Sequence, residues 1–179
     1  MSDSPIYLRQ LELTDAPALL ELRIRNRSFY QPYEPLREER HFTLEEQEKD
    51  IAAVIHTAQL DQAYAYGIFI AGTDELVGRI ALTSISRGVF QNGYLGYSID
   101  QAHNGRGYAT AAVSEIARKA FVQLGLHRVQ AGVMPRNKRS VRVLEKAGFR
   151  PEGLAERYLK INGTWEDHLL FAMTSEDYN

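Results

Sequence analysis

The spacing of apolar residues divides the first third of the chain into one strand and two helices. An alternating stretch, 6–13, predicts a strand, and the pair Thr14-Asp15 then caps a helix over 14–26 with Pro17 in its first turn. A capping box opens a second helix over 43–60. The aromatic, proline-broken stretch 29–35 between them is predicted to be a loop.

The middle of the chain alternates in the manner of strands and then becomes helical. Two strands are predicted over 63–71 and 76–85, joined by a turn at 72–75. A third strand follows over 94–99. Beyond a glycine-containing loop, an alanine-rich helix runs to about residue 124.

The last third repeats this alternation of strands and helices. Glycines at 125 and 148 end two helices in the left-handed C-terminal position, and Asn162-Gly163 predicts a hairpin turn. The predicted elements are a strand over 128–134, a helix over 138–147 and two strands over 152–161 and 165–174. The order β-α-α-β-β-β-α-β-α-β-β predicts a single α/β (α+β) domain over 1–179 with a mixed sheet.

Composition excludes several classes of protein. The chain has 179 residues, 44% of them hydrophobic and 25% charged, which is ordinary for a globular domain. We expect the protein to lie in the cytoplasm. A net charge of −2 argues against a dominant nucleic-acid-binding face, and neither a membrane span nor a secretory signal is evident. There is no cysteine, which excludes disulfides and a cysteine nucleophile, and the five histidines have no paired metal-ligand spacing. We therefore expect no metal and no membrane partner.

The most informative local feature is the strand, glycine loop and helix start between Ile99 and Thr110. The first turn of a helix has backbone N–H groups without partners, and its dipole favours negative charge. Gly105 and Gly107 allow the backbone to approach a phosphate closely, although they also serve as plain turn residues elsewhere. No Gly-Lys-Ser/Thr follows, so this is not a P-loop, and Thr110 stands where the dinucleotide fingerprint needs a glycine or alanine. The loop therefore predicts a different phosphate-bearing cofactor.

The loop resembles the pyrophosphate loop of the GNAT superfamily of N-acetyltransferases, which use acetyl-CoA. That loop reads Gln/Arg-x-x-Gly-x-Gly/Ala, and this chain has Asn104-Gly-Arg-Gly-Tyr-Ala109, with Asn in place of Gln or Arg. The segment from Met134 to Phe149, with Glu152-Gly153 after it, is similar to the ribosomal-protein-alanine N-acetyltransferases of the RimJ/RimL type. The segment Gly163-x-Trp-x-Asp-His168 and the stretch 26–35 also fit that group. Within it, the chain resembles RimJ more than RimL. The resemblance implies a mostly antiparallel central sheet of about seven strands flanked by about four helices.

The resemblance also implies where acetyl-CoA binds. Backbone groups of the loop would surround the pyrophosphate, a strand bulge near Tyr97 would hold the pantetheine, and Asn137 and Ser140 would contact the pantetheine arm and lie near the sulfur. The cofactor-binding residues expected in this way are Ser98, Ile99, Asn104, Gly105, Arg106, Gly107, Tyr108, Ala109, Thr110, Asn137 and Ser140. Arg106 is as well explained by a solvated surface position, and Asn137 by an ordinary helix cap.

The expected catalytic residues are Ser140 and Tyr97. A hydroxyl near the cofactor sulfur would protonate the departing thiolate, and acid–base assistance of this kind is worth roughly 10²–10⁴ in rate. Tyr97 is equally well read as a core aromatic. No general base is identified, because Leu159 stands where some relatives carry a glutamate, and Glu156, Glu115 and His103 are weak substitutes.

The acceptor is the least determined part of the prediction. Phe29, Tyr33, Glu34 and Trp165 are expected to bind the substrate, although the first three also suit a cover over the core and Trp165 suits core packing. The main hypothesis is acetyl transfer to a protein N-terminal α-amine, such as that of a ribosomal protein, by direct attack in a ternary complex. An acetyltransferase of a small amine and a non-catalytic acyl-CoA-binding or ribosome-associated factor are the alternatives. The oligomeric state, including a homodimer, stays open.

Overall fold

The computed structural model describes residues 4–178, which form a central sheet with helices on both faces. The strands are β1 (Ile6–Gln10), β2 (Tyr64–Ile70), β3 (Leu76–Ser86), β4 (Asn92–Ile99), β5 (Arg128–Val133), β6 (Arg150–Ile161) and β7 (Thr164–Thr174). The helices are α1 (Ala16–Arg25), α2 (Arg27–Tyr30), α3 (Leu44–Gln59), α4 (Tyr108–Arg118), α5 (Lys138–Lys146) and α6 (Ser175–Tyr178). A π-helical turn, Lys119–Gln123, continues α4.

The seven strands lie in the order β1-β2-β3-β4-β5-β7-β6. Every neighbouring pair is antiparallel except β4 and β5, which run parallel. The predicted mixed, mostly antiparallel sheet is therefore confirmed. The connection between the antiparallel strands β6 and β7 is a tight turn, as predicted. Asn162 and Gly163 both have the positive φ (46° and 85°) that such a turn requires.

The parallel pair β4–β5 separates after three residues. Asn92–Tyr94 pair with Arg128–Gln130, and no pairing follows between the remainder of the two strands. Each strand keeps its other neighbour: β4 stays paired with β3 as far as Ile99, and β5 with β7 as far as Val133. Because the outer partners hold the two strands on diverging courses, a gap opens in the middle of the sheet.

The bulge expected near Tyr97 is absent from the pairing with β3, so that expectation is wrong. The register runs regularly from Thr83↔Tyr94 to Gly78↔Ile99, and the irregularity lies beyond Thr83, where Ser84 has a positive φ of 51°. The distortion that exposes the end of β4 is the loss of β5 as a partner. This leaves the backbone groups on that edge of β4 without a strand neighbour.

Two hydrophobic clusters fix the helices on opposite faces of the sheet. Ile68 belongs to a cluster with the buried side of α4 and with Leu144 of α5, whereas Phe69 belongs to a second cluster with α1 and α3. Successive residues of a strand point to opposite faces, so α4 and α5 cover one face and α1 and α3 the other. Phe149 follows Gly148 (φ 91°) and is buried in the first cluster, as predicted.

The stretch 29–35, predicted as a loop, is largely helical. It contains the end of α2 and a single turn of 3₁₀-helix, Gln31–Tyr33, and a second such turn, Glu39–Phe42, follows it. Proline at the start of the first turn supplies a preset φ and lacks only an N–H that the turn would leave free. The prediction erred because a proline that breaks a long helix is compatible with the start of a short one.

Candidate active site

A cavity of about 880 Å³ lies where β4 and β5 separate. The inner ends of β3 and β4 form its floor, α5 and the start of α4 bound it on one side, and the segment from α1 to the turn Glu39–Phe42 covers the other. Its walls therefore come from parts of the chain that lie far apart in sequence, brought together at the gap in the sheet.

The glycine loop and the first turn of α4 border the cavity through Asn104 and Ala109. Gly105 and Gly107 have φ of 78° and 80°, and Gly107 occupies the N-cap position without a side chain to accept from the helix. The N–H of Ala111 donates to the carbonyl of Gly107 at 3.0 Å, which closes the first turn. The N–H groups before it point away from the helix, as at any uncapped N-terminus, and form a site for an anion.

The loop carries a second feature that fits such a ligand. Asn104 lines the cavity, and within residues 4–178 its buried Nδ2 has no hydrogen-bond acceptor. A buried amide without a partner is costly, so its persistence is typical of a site completed by a ligand. Ala109 also lines the cavity, whereas Gly105, Gly107, Tyr108 and Thr110 do not; the two glycines are exposed, and Tyr108 and Thr110 are half-buried. Arg106 is exposed there, as its alternative reading predicted.

Tyr97 and Ser140 meet at the centre of the cavity. The Tyr97 hydroxyl lies 2.7 Å from Ser140 Oγ, and it is also within 3.3 Å of the Ser140 carbonyl oxygen. Burial raises the pKa of Tyr97 to about 12, although the hydrogen bond with Ser140 opposes the shift. Tyr97 is therefore protonated throughout the neutral range and carries a proton that it can donate across the gap.

Asn137 positions Ser140 by capping α5. Its Oδ1 accepts a hydrogen bond from the N–H of Ser140 at 3.2 Å, the standard N-cap contact. Both residues also line the cavity together with Ser98 and the largely buried Ile99. The structural interpretation of Asn137 is thus confirmed, and its position in the cavity wall leaves the predicted contact with a cofactor open.

Three of the four predicted acceptor residues line the same cavity. Phe29, Tyr33 and Glu34 lie in its cover, and Glu34 accepts hydrogen bonds from Arg37 Nε and Nη2, both at 3.2 Å. Trp165 does not belong to this group. It is 59% exposed and lines a separate recess of about 460 Å³ beside Arg136, so the core-packing interpretation is wrong, and a contact of Trp165 with the substrate stays a prediction.

The candidate bases are not brought to the centre. Leu159 is 44% exposed on β6 and lies outside the cavity wall. Glu115 accepts from Arg118 on the outer side of α4, and His103 lies between Asp100 and Glu75. Among the cavity-lining residues of the described chain, Glu34 is the only carboxylate.

Sequence reasoning missed a polar cluster in the wall formed by α1, α3 and β3. Arg23 Nη2 and Arg79 Nη1 each lie 3.0 Å from Asp50 Oδ2, and Arg23 Nη1 also donates to His41 Nε2. Burial, and then the charge of Arg23, lower the pKa of His41 to about 4, so its imidazole is neutral. Arg79 could have been noticed as a charged residue inside an otherwise apolar strand, whereas His41 offers no sequence signal.

Two further contacts hold the cover of the cavity in place. Arg136 Nη2 donates to the Pro32 carbonyl at 2.8 Å, and Arg136 Nη1 lies 2.8 Å from Glu166 Oε1. Arg136 thereby links the turn Gln31–Tyr33 to β7 beside the cavity. Tyr30 packs beneath the same turn, and burial raises the pKa of its hydroxyl.

Comparison with known proteins identifies the arrangement. The model of the acetyltransferase (GNAT) domain matches residues 6–150, which is most of the chain. The chain belongs to the GNAT family of N-acetyltransferases. No helix within 4–178 is long and apolar enough to cross a membrane. The same residues contain no group of three or more histidine, aspartate or glutamate side chains that would hold a metal ion.

Individual GNAT relatives are similar over nearly the whole chain. The probable N-acetyltransferase YjcK of Bacillus subtilis is 46% identical over 172 residues, covering 96% of this chain and 95% of the relative. The [ribosomal protein uS5]-alanine N-acetyltransferase of Escherichia coli is 34% identical over 173 residues, covering 97% and 89%. Mycobacterium smegmatis RimJ in complex with CoA-disulfide is 30% identical, with a TM-score of 0.92 over 96% of this chain and 83% of that one. These relatives confirm the predicted RimJ/RimL likeness.

Proposed function

We propose that this N-acetyltransferase transfers the acetyl group of acetyl-CoA to the α-amine of a protein N-terminus. The observation that carries the proposal is the cavity beside the divergence of β4 from β5, which Asn104 and Ala109 of the glycine loop and α4 line together with the Tyr97–Ser140 pair. The similarity to a ribosomal-protein-alanine N-acetyltransferase supports an N-terminal α-amine as the acceptor, with a ribosomal protein as the first candidate.

The cofactor end fits the diphosphate of acetyl-CoA. The uncapped first turn of α4 offers N–H groups and the positive end of the helix dipole, and Asn104 Nδ2 adds a donor that has no partner among residues 4–178. Acetyl-CoA supplies an activated thioester. The chain's part is to orient it, and the unpaired edge of β4 beside Ser98 offers backbone groups for that purpose.

Tyr97 and Ser140 are the residues to which we assign proton transfer. Tyr97 donates a hydrogen bond to Ser140 Oγ, which leaves the Ser140 hydroxyl hydrogen free to point at the cofactor sulfur. As the carbon–sulfur bond of the thioester breaks, Ser140 gives its proton to the thiolate and takes the proton of Tyr97, and Tyr97 is reprotonated from solvent. Because the pKa of Tyr97 is raised by burial, it stays a donor and does not compete as an anion. The amine attacks directly, since the chain has no cysteine to form an acyl-enzyme.

A strong base is unnecessary for this acceptor. An α-amine has a pKa near 7.7–8.0, roughly two to three units below that of lysine, so a useful fraction is neutral at pH 7. This agrees with Leu159 standing where some relatives carry glutamate, and with Glu34 being engaged by Arg37. The proton of the attacking amine passes to solvent or buffer from the open side of the cavity.

Charge in the cavity disfavours a polyamine as the acceptor. Six cationic side chains line it: Arg23, Arg37, Arg79, Arg136, Lys138 and Arg139. The carboxylates of Glu34, Asp50 and Glu166 pair with four of them, so three of the six positive charges are not compensated by these carboxylates. A multiply charged amine would be repelled from such walls, whereas a peptide N-terminus carries one charge that is lost before attack.

The test is acetyl transfer from labelled acetyl-CoA to a panel of N-terminal peptides, polyamines and aminoglycosides. We expect label on the peptide α-amine, located by mass spectrometry, and initial-rate plots that intersect because both substrates bind before reaction. Label on small amines alone would exclude the protein N-terminus. Parallel initial-rate plots would exclude direct attack. If no acceptor were acetylated, the protein would be a non-catalytic binding module.

A further inference from the structure

The arginines beside β3 form a charge cluster that is not neutralised within the protein. We define the arginine cluster as Arg23, Arg79, Asp50 and His41. Asp50 Oδ2 is shared by Arg23 and Arg79, so one carboxylate faces two guanidinium groups. His41 accepts from Arg23 and is neutral because its pKa is lowered to about 4, mainly by burial. The cluster therefore carries one uncompensated positive charge.

Donors of the cluster are also left unused. Within residues 4–178, the buried Nε atoms of Arg23 and Arg79 have no acceptor. Arg79 is anchored through Nη1 alone, whereas Arg23 uses both Nη atoms, on Asp50 and His41. The side chain of Arg79 is 24% exposed in the cavity wall although its Nε is buried, so a group that enters the cavity meets a guanidinium already oriented by Asp50. A guanidinium held in this way suits a carboxylate, with which it forms charge-assisted hydrogen bonds.

The cluster lies next to the proposed reaction centre. Arg79 is directly opposite Ser98 in the β3–β4 pairing, and Ser98 follows Tyr97, whose hydroxyl contacts Ser140. Neighbouring strands are about 4.8 Å apart, so the backbone of Arg79 lies beside the end of β4, while its side chain lies on the α1–α3 face and the side chain of Tyr97 on the opposite face. An acceptor that enters from the α1 side meets the arginine cluster and the reaction centre together.

We infer that Arg79, supported by Asp50 and Arg23, binds a carboxylate of the acceptor close to the amine that is acetylated. This rests on the proposed function and narrows it: the preferred N-termini carry aspartate or glutamate within their first few residues. An extended peptide advances about 3.3 Å per residue, which places such a side chain within reach only near the start of the chain. The α-carboxylate of an amino-acid-like acceptor has the same chemistry and is the other source of the group.

The experiment compares acceptors that differ only in charge. Peptides with glutamate or glutamine at position two, three or four, and aspartate against asparagine as small acceptors, are assayed for kcat/KM with acetyl-CoA. We expect the glutamate peptide to exceed its glutamine partner by about tenfold or more at one position, the range of a charge-assisted hydrogen bond. Preference for aspartate over asparagine, without peptide acetylation, would assign the site to a small acceptor.

Variants show whether Arg79 is responsible. Arg79→Gln lowers kcat/KM for the acidic peptide about tenfold more than for the amide peptide, whereas Arg79→Lys keeps part of the preference because it keeps the charge. Arg87 is a matched control, since it follows the same strand and is also held by an aspartate, Asp61. Arg87→Gln leaves the preference unchanged.

The possible failures are distinguishable. If small amines are acetylated and peptides are not, the proposed function is overturned. The comparison of aspartate with asparagine then shows whether Arg79 binds the carboxylate of a small acceptor. Calorimetric binding of the two peptides to the CoA-bound protein makes the same comparison without turnover. Equal rates and equal binding for the acid and amide members of every pair overturn the carboxylate site, as does an equal loss for both members in Arg79→Gln.

Discussion

Replacing Tyr97 with phenylalanine removes one oxygen atom from the centre of the cavity and keeps the ring in place. The lost hydroxyl lies 2.7 Å from Ser140 Oγ. In the proposed reaction, the hydrogen bond from Tyr97 directs the Ser140 proton toward the sulfur. In Tyr97→Phe the Ser140 hydroxyl is still present, but this hydrogen bond no longer orients it. Ser140→Ala removes the proton donor itself.

The two losses differ in size and are not additive. One neutral hydrogen bond is worth about 1 kcal/mol, which corresponds to roughly a fivefold loss of rate for Tyr97→Phe. Loss of the acid in Ser140→Ala costs about 10²-fold, the lower end of acid–base catalysis. Because Tyr97 acts through Ser140, the double variant is expected to be no slower than Ser140→Ala alone.

Single-turnover acetyl transfer with a saturating peptide measures the chemical step, and calorimetry with CoA confirms that binding is retained. Tyr64→Phe is the control, because its hydroxyl also donates at 2.7 Å, to Asp61, away from the cavity. Full activity of Ser140→Ala would refute the assignment. Losses that multiply in the double variant would show that Tyr97 acts independently of Ser140.

Three further predictions follow from the loop and the arginine cluster. Asn104→Leu keeps or raises the melting temperature of the free protein, because the buried Nδ2 has no partner to lose, but weakens CoA binding about five- to tenfold by calorimetry. Gly107→Ala lowers both melting temperature and CoA affinity: no atom lies within 4 Å of an added Cβ, so the cost, about 1 kcal/mol or more, comes from its φ of 80°. The free energy of unfolding falls as pH drops from about 6.5 to about 4, because only the unfolded chain protonates His41 there, and His41→Gln flattens this slope in denaturant titrations. Normal CoA binding by Asn104→Leu, unchanged stability of Gly107→Ala, or an unaltered pH slope in His41→Gln would contradict the respective argument.

Much of the site was predictable because its signals are local. A glycine loop before a helix predicts a phosphate site through backbone conformation alone, and Gly105 and Gly107 adopt positive φ, as such a loop requires. The resemblance to a known family added Tyr97 and Ser140, which the structure brings to 2.7 Å. The exposure of Trp165 was not predictable, because burial depends on contacts with segments far away in the sequence.

The order of strands and helices was predictable from the periodicity of the chain, since each element buries one face and its ends are marked by glycine, proline and capping residues. The separation of β4 from β5 was not, because it depends on β3 and β7 holding the two strands on different courses. Nor was the meeting of Arg23, Asp50 and Arg79, which belong to three different elements. Local sequence sets backbone conformation, but a gap in a sheet and a shared carboxylate arise from contacts between segments far apart in the chain.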